Sequence, residues 1–310
     1  MSKKDRIFLA GHNGLVGSAV LKKLKQLNYS NIVVANKKKL NLLDQSKVFR
    51  FLQKKKIKSI INCAARVGGI KANNDFKGSF IYENLTIQNN LIHGAKINNV
   101  KNLIFLGSSC VYPRNCKQPI KEEYLLNGPL EKTNEPYAIA KIAGIKLCEA
   151  YNFQYNTNYK CLMPTNCFGP EDNYNLATSH FLPALISKVY HAKYNKDSFI
   201  TLWGDGKAKR ELIYVEDLAE AIIYFLNKKT SHSLINIGTG IEKTIKQYAS
   251  ILFKIAGVKL NIKYENAHLK GTPRKLLDLS LSKKYKWKSK TNLIQDLKTT
   301  YQNFLQNKNH

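Results

Sequence analysis

The sequence lacks a long apolar run, which argues against a membrane-spanning helix. Such a helix needs about 18 or more consecutive apolar residues, and no stretch of the 310 residues approaches that length. The charged start, residues 1–6, is followed by only four apolar residues, whereas the apolar region of a secretory signal peptide spans ~7–15 residues. We therefore expect a cytoplasmic protein with no membrane partner.

The chain also lacks paired cysteines. None of its six cysteines occurs at Cys-x-x-Cys spacing, which is typical of zinc sites and redox motifs. In a cytoplasmic protein of this size we expect free thiols and no metal centre.

Arginine is scarce although the chain is strongly basic. Only six of the 50 basic residues are Arg and 44 are Lys, and the formal net charge is +29. The lysines are spread along the chain together with 32 Asn, no basic stripe forms, and no nucleic-acid-binding motif occurs. We therefore expect no nucleic-acid partner, while the charge favours anionic substrates.

Internal repeats and low-complexity linkers are absent as well. The first half of the chain alternates short apolar runs with amphipathic stretches, a pattern that predicts a parallel sheet covered by helices on both faces. Strands are predicted at residues 6–10, 31–36, 59–64, 103–108 and 160–165, and helices at 15–27, 83–98 and 136–155. After about residue 166 the pattern loosens into loops and shorter elements, which we interpret as a smaller α/β lobe.

A glycine-rich turn follows the first predicted strand. Gly11, Gly14 and Gly17 lie between that strand and the first helix. Glycines at this place allow a tight turn, and the helix N-terminus offers unpaired N–H groups to a pyrophosphate. The sequence therefore predicts a dinucleotide-binding, Rossmann-type doubly wound sheet.

The second predicted strand indicates which dinucleotide is bound. An NAD site usually has an acidic residue there that binds the ribose 2′-hydroxyl. This chain has three consecutive lysines, 37–39, and no carboxylate. We therefore predict NADP(H) as the cofactor, with Lys37 as the ligand of the 2′-phosphate.

Three residues form a candidate proton-transfer group. Tyr137 and Lys141 are four residues apart on one face of a predicted helix, where a cation would lower the pKa of the phenol. Ser108 ends a central strand, at the edge where such sheets bind their ligands. Its hydroxyl could share a substrate oxygen with Tyr137.

Several stretches together resemble one known family. The glycine turn, residues 107–113 (GSSCVYP) and residues 137–141 (YAIAK) are similar to the extended short-chain dehydrogenases. The finer resemblance is to the GDP-L-fucose synthases, carried by residues 64–70 (AARVGGI), 133–149, 163–166 and 271–278 (GTPRKLLD). It extends from the glycine turn nearly to the C-terminus.

The resemblance implies a specific chemistry. The family epimerises C3 and C5 of GDP-4-keto-6-deoxy-D-mannose and then reduces C4 with NADPH. It assigns the base and the acid to the residues that match Cys110 and His180. If the strand continues past Ser108, Cys110 points to the same side as Ser108. The resemblance also implies a homodimer that pairs through the helices predicted at 83–98 and 136–155.

The same resemblance implies the ligand contacts. The predicted cofactor contacts are Gly11, His12, Asn13, Gly14, Leu15, Val16, Gly17, Lys37, Leu106, Gly107, Ser109, Lys141, Pro164, Thr165, Asn166, Cys167 and His180. The predicted substrate contacts are Lys188, Trp203, Arg210 and Asp278. Arginine binds a diphosphate through a planar fork that lysine cannot copy, so Arg210 is the first choice for the GDP diphosphate and Arg274 the second.

These expectations define two domains and leave alternatives open. Residues 1–165, joined by later elements from about 211–237, form the predicted NADP-binding domain, and residues 166–310 form mainly the nucleotide-sugar-binding lobe. The enzyme could instead reduce C4 with partial or no epimerisation, on a hexose or a heptose. A different kind of function is a non-catalytic NADP-binding module. The Ser-Tyr-Lys set argues against this alternative.

Overall fold

The computed structural model of the protein describes residues 2–265 and 271–308. The strands are β1 (Ile7–Ala10), β2 (Ile32–Val33), β3 (Ser59–Asn62), β4 (Asn102–Leu106), β5 (Asn158–Pro164), β6 (Asn166–Phe168), β7 (Phe199–Trp203), β8 (Lys209–Tyr214), β9 (Leu234–Ile237), β10 (Glu242–Thr244), β11 (Asn261–Glu265) and β12 (Arg274–Lys275). The helices are α1 (Leu15–Gln26), α2 (Gln45–Lys54), α3 (Ile70–Asp75), α4 (Lys77–Ile97), α5 (Glu135–Tyr155), α6 (Phe181–Asn195), α7 (Val215–Asn227), α8 (Ile245–Ala256), α9 (Ser280–Lys284) and α10 (Leu293–Lys308).

The central sheet is parallel and has the strand order β2-β1-β3-β4-β5-β9. Successive residues of a strand point to opposite faces. In β1, Ile7 and Leu9 therefore join the core beneath α1 and α7, while Phe8 and Ala10 join the core beneath α2, α4 and α5. Burial on both faces explains the nearly continuous apolar strands. The predicted Rossmann-type doubly wound α/β fold is confirmed.

The strand order places a crevice at one edge of the sheet. The chain passes from β1 outward to β2 and then returns to β3 on the other side of β1. Ligands of doubly wound sheets bind in the crevice outside the carboxyl ends of the strands at such a switch point. Here that crevice lies between the loops that follow β1 and β3.

A smaller group of elements faces this crevice. β8 pairs with β10, β12 and β6, and β7 pairs with β11. Helices α6, α8 and α10 pack around these strands. However, β9 and α7 belong to the central sheet and its cover, so the chain crosses between the two groups more than once. The predicted division into residues 1–165 and residues 166–310 therefore remains a prediction.

Several predicted element bounds differ from the structure, among them those of β2, β4 and α4. β2 ends at Val33 because the carbonyl of Asn36 accepts the N–H groups of Lys39 and Leu40, which turns the chain away from the sheet. β4 ends at Leu106, before Ser108. Helix α4 begins at Lys77, six residues before the predicted start. The prediction missed this first turn because Gly78 and Ser79 are weak helix formers. Among the described residues, no helix has both the length and the apolar character needed to cross a bilayer.

Candidate active site

A cavity of about 1380 Å³ lies at the switch point of the sheet. Pockets for single small ligands are typically ~300–1,000 Å³, so this cavity has room for more than one ligand. Its walls include the glycine turn and the segment after β4 on one side. Residues 202–208, Arg210, residues 271–273 and Lys275 form further walls.

The glycine turn forms one end of the cavity, and all of residues 11–17 line it. Gly11 has a φ of +80° and lies so close to β3 that a Cβ there would be 2.7 Å from the Ala64 nitrogen. A Cβ on Gly17 would lie 2.0 Å from the Gly11 carbonyl oxygen. Gly14 caps α1 without a side-chain hydrogen bond, so the first N–H groups of the helix face an open anion site.

The stretch after β2 lines the cavity next to this turn. Ala35, Asn36 and Lys37 contribute, followed by residues 40–43. No carboxylate occurs between residues 35 and 43, and Lys37 is exposed. An ammonium in this position suits a phosphate better than a hydroxyl.

Ser108 and Cys110 reach the cavity through a turn. Ser108 is extended, and its hydroxyl accepts the Cys110 N–H at 3.4 Å. Cys110 belongs to a single 3₁₀ turn, Ser109–Val111, so the expectation that a continuing strand would direct its side chain was wrong. Both residues nevertheless line the cavity, and only 7% of Cys110 is exposed.

Tyr137 and Lys141 lie on α5 beneath this turn. Tyr137 lines the cavity, whereas Lys141 is buried behind it and donates to the Leu106 carbonyl at 2.8 Å. Burial lowers the pKa of Lys141 to about 8 and raises the pKa of Tyr137, with the Cys110 sulfur contributing in the same direction. The Lys141 ammonium also lies 5.7 Å from the centre of the Tyr137 ring, and the expectation that it lowers the pKa of this phenol stays a prediction. Leu106 itself contributes its carbonyl and does not line the cavity.

His180 lines the same cavity as Cys110. It caps the start of α6 and lines the cavity wall. The surrounding protein lowers the pKa of His180 by desolvation, and the nearby Lys275 ammonium lowers it further. Desolvation raises the pKa of the Cys110 thiol, while Lys275, Ser108 and Lys141 oppose that change.

The predicted substrate residues Lys188, Trp203 and Arg210 line the far end of the cavity. The Lys188 ammonium lies 5.9 Å from the centre of the Trp203 ring and donates to the Thr201 carbonyl at 2.7 Å. Burial lowers the pKa of Arg210 to about 10, so the guanidinium remains charged at neutral pH. A desolvated cation and an adjacent aromatic face suit a nucleotide diphosphate.

Two predicted residues lie elsewhere. The Asp278 carboxylate accepts the Ser280 N–H at 2.9 Å and Asp278 is outside the cavity lining. Arg274 is also outside the lining, because its guanidinium pairs with Glu242 at 2.8 Å. Since Arg274 and Lys275 alternate along β12, Lys275 is the residue that faces the cavity.

The remaining predicted cofactor residues do line the cavity: His12, Asn13, Leu15, Val16, Gly107, Ser109, Pro164, Thr165, Asn166 and Cys167. Sequence reasoning missed Lys275 and three cavity-lining groups, Asn73 Oδ1, Asn134 Oδ1 and Ser179 Oγ, which are buried without a hydrogen-bond partner in the described structure. Unpaired buried polar atoms in a cavity suit the hydroxyl groups of a ligand. Arg66 and Arg114 also line it, and the scarcity of arginine was a signal that could have found them.

The described residues contain no group of three or more His, Cys, Asp or Glu side chains arranged to bind a metal ion. The hydroxyl, phenol, thiol and imidazole groups that share the cavity can transfer protons, whereas a hydride would have to come from a bound cofactor.

Comparison with known proteins agrees with this geometry. Residues 7–238 match the NAD dependent epimerase/dehydratase family. The chain is 44% identical to the GDP-L-fucose synthase of Escherichia coli (strain K12), over 98% of each chain. Among solved structures, it resembles a GDP-mannoheptose C4 reductase from Campylobacter jejuni with NADP bound (33% identity, TM-score 0.89, 98% and 99% of the two chains covered).

A second solved structure is equally similar in fold. This is a GDP-L-fucose synthetase from Naegleria fowleri bound to NADP, with 29% identity and a TM-score of 0.90, covering 100% of this chain and 95% of that one. The matched sequence and the doubly wound sheet lead to one assignment. The chain belongs to the NAD dependent epimerase/dehydratase family and, within it, to the GDP-L-fucose synthase family.

Proposed function

We propose that this chain converts GDP-4-keto-6-deoxy-D-mannose to GDP-L-fucose by 3,5-epimerisation and NADPH-dependent reduction at C4. One observation carries the proposal: Ser108, Cys110, Tyr137 and His180 line a single cavity whose walls also include the glycine turn and Arg210. The 44% identity to a GDP-L-fucose synthase over nearly the whole chain supports it.

The residues fit NADP(H) in the part of the cavity near the glycine turn. The start of α1 would bind the pyrophosphate, and Lys37 would bind the 2′-phosphate. The close approach of Gly11 and Gly17 to neighbouring backbone supports this placement, because side chains there would fill the turn. When bound, the cofactor supplies a hydride to C4 of the sugar.

Epimerisation uses groups on two sides of the sugar. Cys110, as the thiolate, takes a proton from the carbon next to the ketone, and the electron pair moves onto the carbonyl oxygen. Hydrogen bonds from Ser108 and Tyr137 stabilise that oxyanion. Protonated His180 then returns a proton to the opposite face of the carbon.

Reduction uses the Ser-Tyr-Lys group. Tyr137 donates its phenolic proton to O4 as the hydride reaches C4, and Ser108 holds the same oxygen. Lys141, anchored on the Leu106 carbonyl, positions the phenol from below.

A C4 reductase of a GDP-heptose is the second candidate. The reductase from C. jejuni named above has nearly the same fold at 33% identity, and epimerisation could be lost while Cys110 and His180 persist. The higher identity to the fucose synthase favours the hexose. A non-catalytic NADP-binding module would have no use for the Ser-Tyr-Lys group.

The deciding experiment combines the protein with NADPH and GDP-4-keto-6-deoxy-D-mannose in deuterated water. Deuterium at both C3 and C5 of the product, together with cofactor oxidation, is expected. Oxidation without exchange identifies a simple reductase, and no oxidation rejects the hexose. As a control, Cys110→Ser should slow exchange more than reduction of an already epimerised 4-keto sugar.

We also propose a homodimer that pairs through α4 and α5. These helices pack together and expose large apolar side chains, among them Tyr82, Ile139 and Phe153. Exposed apolar patches of this kind are typical of association surfaces. A cytoplasmic location remains the expectation from the sequence.

A further inference from the structure

Lys275 is held firmly against the cavity by the segment around it. In β12 it is the register partner of Arg210 on β8, so both side chains project to one face, and both line the cavity. On one side of Lys275, the Arg274 carbonyl accepts from the Gln118 side chain at 3.3 Å. On the other side, the Leu276 N–H donates to the same side chain at 2.9 Å.

The charge of Lys275 acts on both groups proposed for epimerisation. Its ammonium favours the thiolate of Cys110 and disfavours the imidazolium of His180. Desolvation lowers the pKa of Lys275 itself, and Arg210 lowers it further, whereas Cys110, Glu131 and Cys116 raise it. Two other groups also favour the thiolate of Cys110: Lys141, which is buried behind the cavity, and Ser108, which lies in the adjacent turn.

Lys275 is better placed than Lys141 to stabilise a thiolate. The Lys141 ammonium is hydrogen-bonded to the Leu106 carbonyl and is buried outside the cavity lining. Within residues 2–265 and 271–308, no carboxylate lies within ion-pair distance of the Lys275 ammonium. Its charge is therefore not neutralised by a direct ion pair.

We propose that Lys275 is a positioning residue for the epimerisation steps, whose ammonium stabilises the thiolate of Cys110 and has no comparable part in hydride transfer. The inference rests on the proposed function, because it takes Cys110 as the base. In each epimerisation the thiolate gains the proton that leaves carbon, and imidazolium loses the proton that carbon receives. One proton passing from Cys110 to His180 restores both groups, while Lys275 keeps its charge throughout.

The first test measures the thiolate directly and needs no substrate. The alkylation rate of Cys110 by iodoacetamide is followed against pH by mass spectrometry of the tryptic peptide 102–114, whose only cysteine is Cys110. An opposite charge nearby lowers the pKa of an acidic group by about 1–3. We therefore expect Lys275→Met to raise the pH at the midpoint of the alkylation profile by about 1 pH unit or more. At a fixed pH below the midpoint, the rate should fall about tenfold.

Two variants serve as controls. Lys275→Arg keeps the charge and should retain most of the thiolate. Lys243→Met removes an equal charge from the register partner of Arg210 on the other side of β8, outside the cavity lining, and should leave the profile unchanged. An unchanged profile in Lys275→Met, or an equal change in Lys243→Met, would overturn the proposal.

The second test separates the two half-reactions. Lys275→Met should slow deuterium exchange at C3 and C5 about tenfold, while reduction of the pre-epimerised 4-keto sugar changes less than about threefold. Equal slowing of both reactions contradicts the proposal, even if the protein remains folded. If the unmodified protein reduces its substrate without exchange, the proposed epimerase function fails, and the alkylation profile still decides whether Lys275 stabilises the thiolate.

Discussion

A buried lysine within the central sheet provides a quantitative test of the structure. Lys160 lies in β5 and is only 2% exposed. It projects to the face opposite Tyr159 and Cys161, towards the core beneath α7. Among the described residues, no ion pair or hydrogen bond accompanies its ammonium. Burial lowers the pKa of Lys160 to about 8.

The pKa shift gives the free energy involved. The ordinary lysine value is 10.5 and the buried value is about 8, a difference that corresponds to about 3 kcal/mol. Below pH 8 the lysine is protonated in both the folded and the unfolded state, so the folded state carries the full desolvation cost. Between pH 8 and 10.5 the unfolded chain still binds the proton that the native protein has released, and the cost disappears as the pH rises.

Replacing Lys160 by Met should therefore stabilise the protein by about 3 kcal/mol at pH 7. The advantage over the unmodified protein should shrink from pH 8 upwards and largely vanish by pH 10.5. Urea unfolding, followed through the fluorescence of buried Trp287, measures this difference at each pH. Titration of other groups affects both proteins alike and cancels in the comparison.

A matched control separates charge from hydrophobicity. Lys101 is exposed just before β4, and Lys101→Met should change stability by less than about 0.5 kcal/mol. If Lys160→Met stabilises equally at pH 7 and pH 10, the gain comes from apolar burial rather than from a removed charge. If it destabilises at pH 7, the ammonium has a stabilising partner and our reasoning is refuted.

Four further substitutions test the site and the surface. Gly17→Ala should weaken NADPH binding at least tenfold by fluorescence titration, because the methyl group would lie 2.0 Å from the Gly11 carbonyl oxygen; unchanged binding would exclude the turn as the pyrophosphate site. Lys37→Ala should lower the preference for NADPH over NADH in kcat/KM about tenfold, with Lys38→Ala as the control, and equal preference in both variants would remove Lys37 as the ligand. Arg210→Lys should raise KM for the GDP-sugar about tenfold with little change in kcat, since lysine lacks the planar fork; a lower kcat at constant KM would contradict a binding role. Phe153→Glu, at a position that is 95% exposed on α5, should convert a dimer to monomers in analytical ultracentrifugation, and an unaffected dimer would place the interface elsewhere.

Local patterns predicted much of the fold. The apolar strands, the glycine turn and the Tyr137–Lys141 pair depend on short-range regularities: strand alternation, the conformational freedom of glycine and the 3.6-residue helical repeat. These features act over a few residues, so they could be recognised along the chain. The bound of β2 was less predictable, because backbone hydrogen bonds after the strand, rather than apolar character, decided where it ended.

The sequence by itself determined the fold class, the place of the cofactor turn and the chemical groups available to the site. Tertiary structure decided how those groups meet. A 3₁₀ turn rather than a continuing strand directs Cys110, and the pairing of β12 with β8 points Lys275 into the cavity while Arg274 pairs with Glu242 outside it. The environment of each group also depends on the fold: burial raises the pKa of Tyr137 and lowers the pKa of Lys141. Desolvation and long-range register arise from residues far apart in the chain, and no local pattern contains them.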